Sequence, residues 1–551
     1  MSGDPTARKR RRLRDRVPVR LRHHWKPAGA LCAGLAVMVY AFGDARISPY
    51  VTSASRVEAD VITQDVKGAV DLYDTSVTHS IALEYDQTDF DKMMKEFRDE
   101  GTKDSIKADL TIDGVYLKDV GIRLKGNSTL MSLRGNGQGM PGGGRAPGGA
   151  EQGAPQQPPQ GGGVGGQDRG QANGRGPGEN KADGGGMGAM GGITQYNLSA
   201  DKPEELPWLI TIDEYVEGRA YQGEREISLR PGSNAQVPVN EALSLSLMDE
   251  SGEPAEQYSL SKVKVNNRPV ATRLMVENPD TEYAQAIDGN GVLYKARAGG
   301  SFAYRGDDPS DYETSFRQLN KVGSQDLEPV MKLIKWADKA SDKEFAEDLD
   351  KYVDVESLSK YVAAQNLLMN FDDMAGPGKN YLLWYDLDTK KFSVLGWDYN
   401  LTFNGDAKAG PDDRASMGGL PGGGVQRGQD GRMPEGMPEN MPEGFPQGMP
   451  GGEGQDKKGE SPVGKDGLMG HALKDRFLEL DAFDSVYKEA YKELYEKFFG
   501  SGAALKELEN IAGQAREAGA GSKALDSTVK TLRKTITERT QALAKNKEVT
   551  G

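Results

Sequence analysis

The chain has 551 residues, a formal net charge of -14, and 36 % hydrophobic residues set against 71 glycines. The acidic balance argues against general nucleic-acid binding, which needs clustered Lys and Arg to neutralise phosphates. A single cysteine, Cys32, excludes an intramolecular disulfide, a CxxC pair and a thiolate zinc site, and four scattered histidines (His23, His24, His79, His471) argue against a Ser-His-Asp triad.

Residues 1–27 are basic, with a cationic run from Arg8 to Arg12, and residues 28–42 are apolar without a charge. That run is shorter than the ~20 residues a membrane span needs and suits a signal-peptide core. Ala41-Phe42-Gly43 offers a small-x-small cleavage site. The long basic leader favours instead an uncleaved signal anchor with a cytoplasmic N-terminus. Both readings stand: a secreted protein, or one held at the cell membrane with an extracellular domain. Residues 48–77 read as a polar tether.

Beyond the tether, Ser80 to Glu84 reads as a strand. Thr88 reads as the N-cap of a helix through Phe97, with apolar residues at Phe90, Met93, Met94 and Phe97. Ile106 to Ile112 and Val115 to Leu124 alternate around Asp113-Gly114, a hairpin signal. Residues 135–192 are rich in Gly, Pro, Gln and Asn, lack apolar periodicity, and are expected to be a disordered insertion. Strands follow near Trp208–Ile212, at Ile227–Leu229, as a hairpin from Val263 to Val276, and at Gly291–Ala296, with a helix over Asn240–Met248 between them. Helices are expected at about 325–340 and 354–369, the second opened by Asp354. A second low-complexity insertion covers 410–465, with Met-Pro-Glu-Gly repeats, and residues 466–546 are helical. There, Phe483, Val486, Ala490, Leu494 and Phe498 form one apolar stripe.

The stretch from Asn370 to Asn400 carries the chemistry. It reads as a helix end, a Gly376-Pro377-Gly378 turn and a β-hairpin, with Asp372, Asn380 and Asp398 at the element ends. Carboxylates and an amide at one mouth are what a Mg²⁺-nucleotide site requires. The structural alternative is a hairpin whose Asp and Asn residues cap turns.

Asn370-Phe371-Asp372, then Lys379-Asn380-Tyr381 before an apolar strand, then Trp397-Asp398 resemble the signature of the CotH kinase family, the spore-coat-protein-H-like atypical protein kinases. Two further stretches match family motifs: Gly121-Ile122-Arg123-Leu124-Lys125-Gly126-Asn127-Ser128, and Asp213-Glu214-Tyr215-Val216 followed by Gln222-Gly223. The resemblance covers residues 78–405 and extends to the helical tail. It implies an α+β, atypical protein-kinase-like two-lobed domain that uses ATP and Mg²⁺ and phosphorylates Ser/Thr of a secreted, cell-surface or coat protein. By that resemblance Asp372 is catalytic, with Asp373 the neighbouring alternative. Asn380 and Asp398 hold metal together with Asn400, where many members carry Asp. Arg123, Lys125, Asn127 and Ser128 contact phosphates, while Glu277 and Lys295 line the nucleotide site. Glu241 pairs with the phosphate-binding lysine. The family's lysine before the second motif is missing from Glu205-Leu206-Pro207-Trp208-Leu209, which leaves Lys125, Lys202 and Lys295 as candidates. Two rival readings remain: a pseudokinase-like scaffold for cell-envelope or spore-coat assembly, and a carbohydrate- or matrix-binding surface protein using Trp208, Trp384 and Trp397.

Overall fold

The computed structural model describes residues 61–126, 128–134, 198–232, 237–287, 289–320, 322, 325–413 and 470–550. The basic leader, Asn127, the 135–192 insertion and nearly all of the 410–465 insertion lie outside them.

Strand β1 (Gln64–Val66) pairs in parallel with β6 (Arg219–Tyr221), so part of the stretch read as a tether is laid against the domain. The alternating segments then build a closed seven-stranded barrel. Its members are β2 (His79–Tyr85), β3 (Ile106–Ile112), β4 (Val115–Leu124), β5 (Trp208–Thr211), β7 (Glu226–Leu229), β8 (Tyr258–Val265) and β9 (Ala271–Glu277), in spatial order β2-β3-β4-β5-β7-β9-β8. The expected hairpin forms: Asp113 and Gly114 both take positive φ, 49° and 84°, and Ile112 pairs with Val115. Such a two-residue turn matches the twist of the strands it joins. Ring closure comes from parallel pairing of β2 with β8, in which His79 faces Ser261.

Ile122, Leu124, Trp208, Ile210 and Met275 fill the barrel, and α1 (Gln87–Asp99) covers one end with Phe90, Met93, Met94 and Phe97. The N-cap of α1 is Asp86, whose carboxylate accepts from Thr88 N at 2.7 Å, rather than Thr88 itself. A carboxylate at the positive end of a helix gains from the dipole as well as the hydrogen bond.

The remaining elements form a second core. A four-stranded antiparallel sheet has the order β11 (Phe316–Gln318), β10 (Gly291–Ala296), β12 (Tyr381–Asp386), β13 (Phe392–Gly396). Packed with it are α2 (Val239–Ser251), α3 (Glu328–Lys339), α4 (Val355–Leu367), α5 (Ala472–Glu479), α6 (Asp484–Tyr495), α7 (Ala503–Glu517) and α8 (Ser522–Leu543). The apolar stripe expected for the tail is seen in α6 and the turn after it, where Ala490, Leu494 and Phe498 are buried. The β8–β9 wall joins the cores, because Val263, Val265 and Met275 point into the barrel while Leu260, Leu274 and Val276 point into the helical core. The fold is therefore mixed α and β, with a closed barrel where the sequence suggested only a β-rich half.

The expectation of a membrane protein with a signal anchor is corrected. Among the described residues no helix is long and apolar enough to cross a membrane. The apolar run at 28–42 lies outside them and is shorter than a span requires. The tryptophans offered for glycan binding are also accounted for in part: Trp208 is fully buried in the barrel and Trp384 is 5 % exposed.

Candidate functional site

The hairpin β12–β13 brings the site together. Tyr381 pairs with Gly396, so Asn380, which precedes the first strand, and Asp398, which follows the second, emerge at the same end. The turn at the other end is held by Asp386, whose carboxylate accepts from Asp388 N and Thr389 N. Facing the hairpin mouth is the 368–380 loop, which leaves α4 through Met369 in the left-handed region (φ 50°).

Asp372 is oriented on both oxygens. Gly378 N donates to its Oδ1 at 2.5 Å and Asn380 Nδ2 to its Oδ2 at 3.2 Å, while its own N–H donates to Asn370 Oδ1. The Gly-Pro-Gly turn lies directly beneath: a Cβ at Gly376 would sit 2.5 Å from Asp372 Cα, and one at Gly378 would sit 2.3 Å from Asp372 Oδ2. Burial raises the Asp372 pKa to about 7, against the Gly378 bond that lowers it, and the Asp398 charge adds to the rise. Its neighbour Asp373 is committed elsewhere. It is buried, accepts from Ala375 N at 2.8 Å, and is ion-paired with Lys474 of α5.

Asp398 takes a left-handed backbone (φ 57°) and donates its N–H to Glu256 Oε1 at 3.1 Å. Its Oδ1 lies 3.6 Å from Arg230 Nη2, which is itself 2.6 Å from Glu241 Oε1. Glu241, on the buried face of α2, thus pairs with an arginine at the end of β7, and among the described residues no lysine takes that part. This corrects the expected lysine–glutamate pair. Burial opposes the Arg230 charge, but Glu241, Asp398 and Glu256 outweigh it and hold the guanidinium pKa above its usual value. The Glu241 pKa rises to about 7 through burial, with Arg230 pulling the other way. Arg273, fully buried in β9, donates from Nε to the Arg230 carbonyl at 2.7 Å and thereby fixes where Arg230 leaves the strand.

Two of the candidate lysines reach the same place. Lys295 on β10 lies with its Nζ 3.3 Å from the ring centre of Trp397. Burial lowers its pKa to about 8, countered by the charges of Asp398 and Glu256. Lys125, just beyond β4, donates to Asn278 Oδ1 at 2.6 Å, and Asn278 donates onward to Glu226. Burial, followed by the charges of Arg230 and Lys295, drives the Lys125 pKa well below its usual value. Lys202, by contrast, is an exposed residue paired with Glu205.

The other expected residues fall into place less tightly. Arg123 is half-buried on β4 opposite Leu209, on the strand face from which Lys125 also leaves. Ser128 opens a 3-10 turn over Ser128–Arg134, and Asn127 lies outside the described residues. Glu277 is buried at the end of β9, accepts from Gln257 N at 3.0 Å, and has its pKa raised by burial to about 7. The Asn400 carbonyl accepts from Asn240 Nδ2, and its side-chain Oδ1 is buried without a hydrogen-bond partner, as is Asp398 Oδ1.

Sequence reasoning missed Arg230, Glu256, Asn278 and Arg273. None belongs to a motif with fixed spacing, since each is an ordinary polar residue in or beside a strand. The residues present fit a Mg²⁺ ion in their chemistry: two buried oxygens, on Asp398 and Asn400, have no hydrogen bond, and both are hard donors, as is the Asn380 amide oxygen. Among the described residues no group of three or more His, Cys, Asp or Glu is gathered around one metal position. A magnesium that draws most ligands from phosphates and water needs no such group.

Residues 197–540 match the CotH kinase protein family. The match takes in every expected site residue except Arg123, Lys125, Asn127 and Ser128. Over 200 residues the chain is 24 % identical to the inner spore coat protein H of Bacillus subtilis (strain 168), covering 35 % of this chain and 54 % of that protein. The chain thus spans about half the length of the curated relative it matches.

Proposed function

The chain belongs to the CotH kinase family, and we propose that it is an exported protein kinase transferring the γ-phosphoryl of ATP to Ser or Thr of a coat or cell-surface protein. On this reading the barrel with α2 is the nucleotide lobe, and the sheet with its helices is the acceptor lobe of a kinase-like pair. The observation that supports it best is the meeting of Asp372, Asn380 and Asp398 with the cations of Lys125, Arg230 and Lys295 at the mouth of one hairpin. Catalysis of phosphoryl transfer is mostly positioning and charge neutralisation, which is what this set offers.

Asp398, Asn380 and Asn400 would hold Mg²⁺, which when bound neutralises charge on the phosphates. Lys125, Arg230 and Lys295 would bind the phosphate oxygens. Asp372, with its pKa near neutrality, accepts the proton of the acceptor hydroxyl as the new O–P bond forms and the bond to the leaving ADP oxygen breaks. The printed name of the Bacillus relative supports a coat protein as acceptor. The basic leader and short apolar run support export.

A second reading, a catalytically silent scaffold for envelope or coat assembly, is favoured by one observation: Arg230 already stands against Asp398. Thermal unfolding with and without Mg²⁺-ATP separates the two readings. A ligand bound only by the native state at about 100 times its Kd stabilises it by ~2.7 kcal/mol. The kinase reading expects that shift in the parent, its loss in Asp398→Ala, and loss of phosphate transfer but retention of the shift in Asp372→Asn. No shift in the parent leaves the scaffold.

A further inference from the structure

The first described residues after the second low-complexity tract dock on the 368–380 loop. Gly470 N donates to Ala375 O at 2.8 Å, and Gly470 O accepts from Lys379 Nζ at 3.1 Å. His471 Nε2 lies 3.0 Å from the Tyr381 hydroxyl. Lys474, in the first turn of α5, is ion-paired with Asp373, their side chains 15 % and 4 % exposed. The start of α5 is itself fixed, because Asp475 accepts from His471 N at 2.9 Å. Three of these outer contacts fall on chain neighbours of candidate site residues: Asp373 follows Asp372, and Lys379 and Tyr381 flank Asn380.

The geometry has a consequence for Asp372. Among the described residues, its two oxygens accept hydrogen bonds from Gly378 N and Asn380 Nδ2, both within the same loop. A loop that holds its own residues together still needs an external point to fix it in the lobe. A buried carboxylate such as Asp373 keeps its place only while its charge is paired, and removing the partner drives it toward water. Asp373 is joined to Asp372 by one peptide bond, so that movement would turn Asp372 away from Asn380.

We propose that Lys474 is a positioning residue for phosphoryl transfer: through Asp373 it anchors the 368–380 loop, so that the segment after the second tract completes the site. The proposal rests on Asp372 acting on the acceptor hydroxyl. Lys474 touches neither nucleotide nor acceptor, and its effect passes entirely through the loop.

The test uses the full-length protein with Lys474→Met, Lys474→Arg, Asp373→Asn and the Lys474→Met/Asp373→Asn pair. A misplacement of about 1 Å at a reacting group costs on the order of 100-fold, so kcat in Lys474→Met should fall by ~100-fold. KM for ATP and the thermal shift with Mg²⁺-ATP should stay within about twofold of the parent, since the metal and phosphate residues are untouched. Lys474→Arg should recover most of the lost kcat. The double variant should be no slower than Lys474→Met, because both changes break one pair. Amide hydrogen exchange across 371–380, measured without nucleotide, should quicken about tenfold in Lys474→Met as local opening becomes easier.

An unchanged kcat in Lys474→Met, a parallel rise in KM for ATP, or failure of Lys474→Arg to rescue would each overturn the proposal. Absence of phosphate transfer in the parent would instead count against the kinase reading. The exchange measurement then decides the anchoring: unchanged exchange at 371–380 overturns it, and faster exchange with the rest of the fold protected supports it.

Discussion

Buried carboxylates with too few counter-charges dominate this protein at the residue scale. Glu241 has Arg230, but among the described residues Glu277 has the backbone N–H of Gln257 and no cation, and burial lifts its pKa to about 7 from an ordinary 4.5. A carboxyl whose folded pKa is raised holds its proton more tightly in the folded state. Below pH 4.5 both states are protonated and the group costs nothing. Between pH 4.5 and 7 the folded state binds more protons, so stability falls as pH rises, and the full penalty stands above pH 7. Glu277→Gln keeps an acceptor for Gln257 and removes the charge. It should leave stability at pH 4.5 nearly unchanged and raise it at pH 8 by about 1–3 kcal/mol, as read from urea unfolding at the two pH values. Equal effects at both would assign the change to packing.

Elements follow local chemistry closely, and the site depends on one turn. The Asp113-Gly114 hairpin, the helix opened by Asp354 and the β12–β13 hairpin all form where turn and cap residues place them; Asp354 accepts from Glu356 N and Ser357 N. The Gly376-Pro377-Gly378 turn is different, because its glycines make room for the chain beneath. A Cβ at Gly376 would meet Phe371 O as well as Asp372 Cα, both at 2.5 Å, and backbone atoms cannot swing aside. Gly376→Ala should therefore move the loop and cost about 1–3 kcal/mol of stability, and on the proposed kinase reading it should lower phosphate transfer at least tenfold. Urea unfolding and initial rates on one preparation check both. A stable variant with full transfer would show that the turn has slack.

Over the whole molecule, the C-terminal helices hold the start of the 368–380 loop from behind. Arg539 of α8 is fully buried and faces carbonyls where a carboxylate partner is more usual: Asn366 O at 2.9 Å, Leu367 O at 3.1 Å, and Ala409 O. The first two of these carbonyls end α4, where the 368–380 loop begins, so one side chain joins the tail to the candidate site. Thr272 Oγ1 bonds Ala518 O at 2.8 Å and ties the barrel wall to the same tail. Arg539→Leu would leave several buried acceptors unsatisfied, each costing about 1–3 kcal/mol, and should destabilise the protein by ~3 kcal/mol or more. Calorimetry would read this as a lower Tm for one cooperative transition. A separate early transition would show that the tail folds apart from the barrel.

Much of this was already legible along the chain. Strand alternation, the helix stripes, the turns and the grouping of Asp372, Asn380 and Asp398 depend on neighbours in sequence, and the physics that sets them acts over a few residues. Three matters were decided only in the tertiary structure. The barrel closes because β2 meets β8, far along the chain. Glu241 finds Arg230 instead of a lysine, and Asp373 is taken up by Lys474, whereas Asp372 is held by the hydrogen bonds of Gly378 and Asn380. Sequence offers several cations for each buried acid. Which one wins depends on which is brought close enough to offset the loss of water, and that distance is a property of the packed chain.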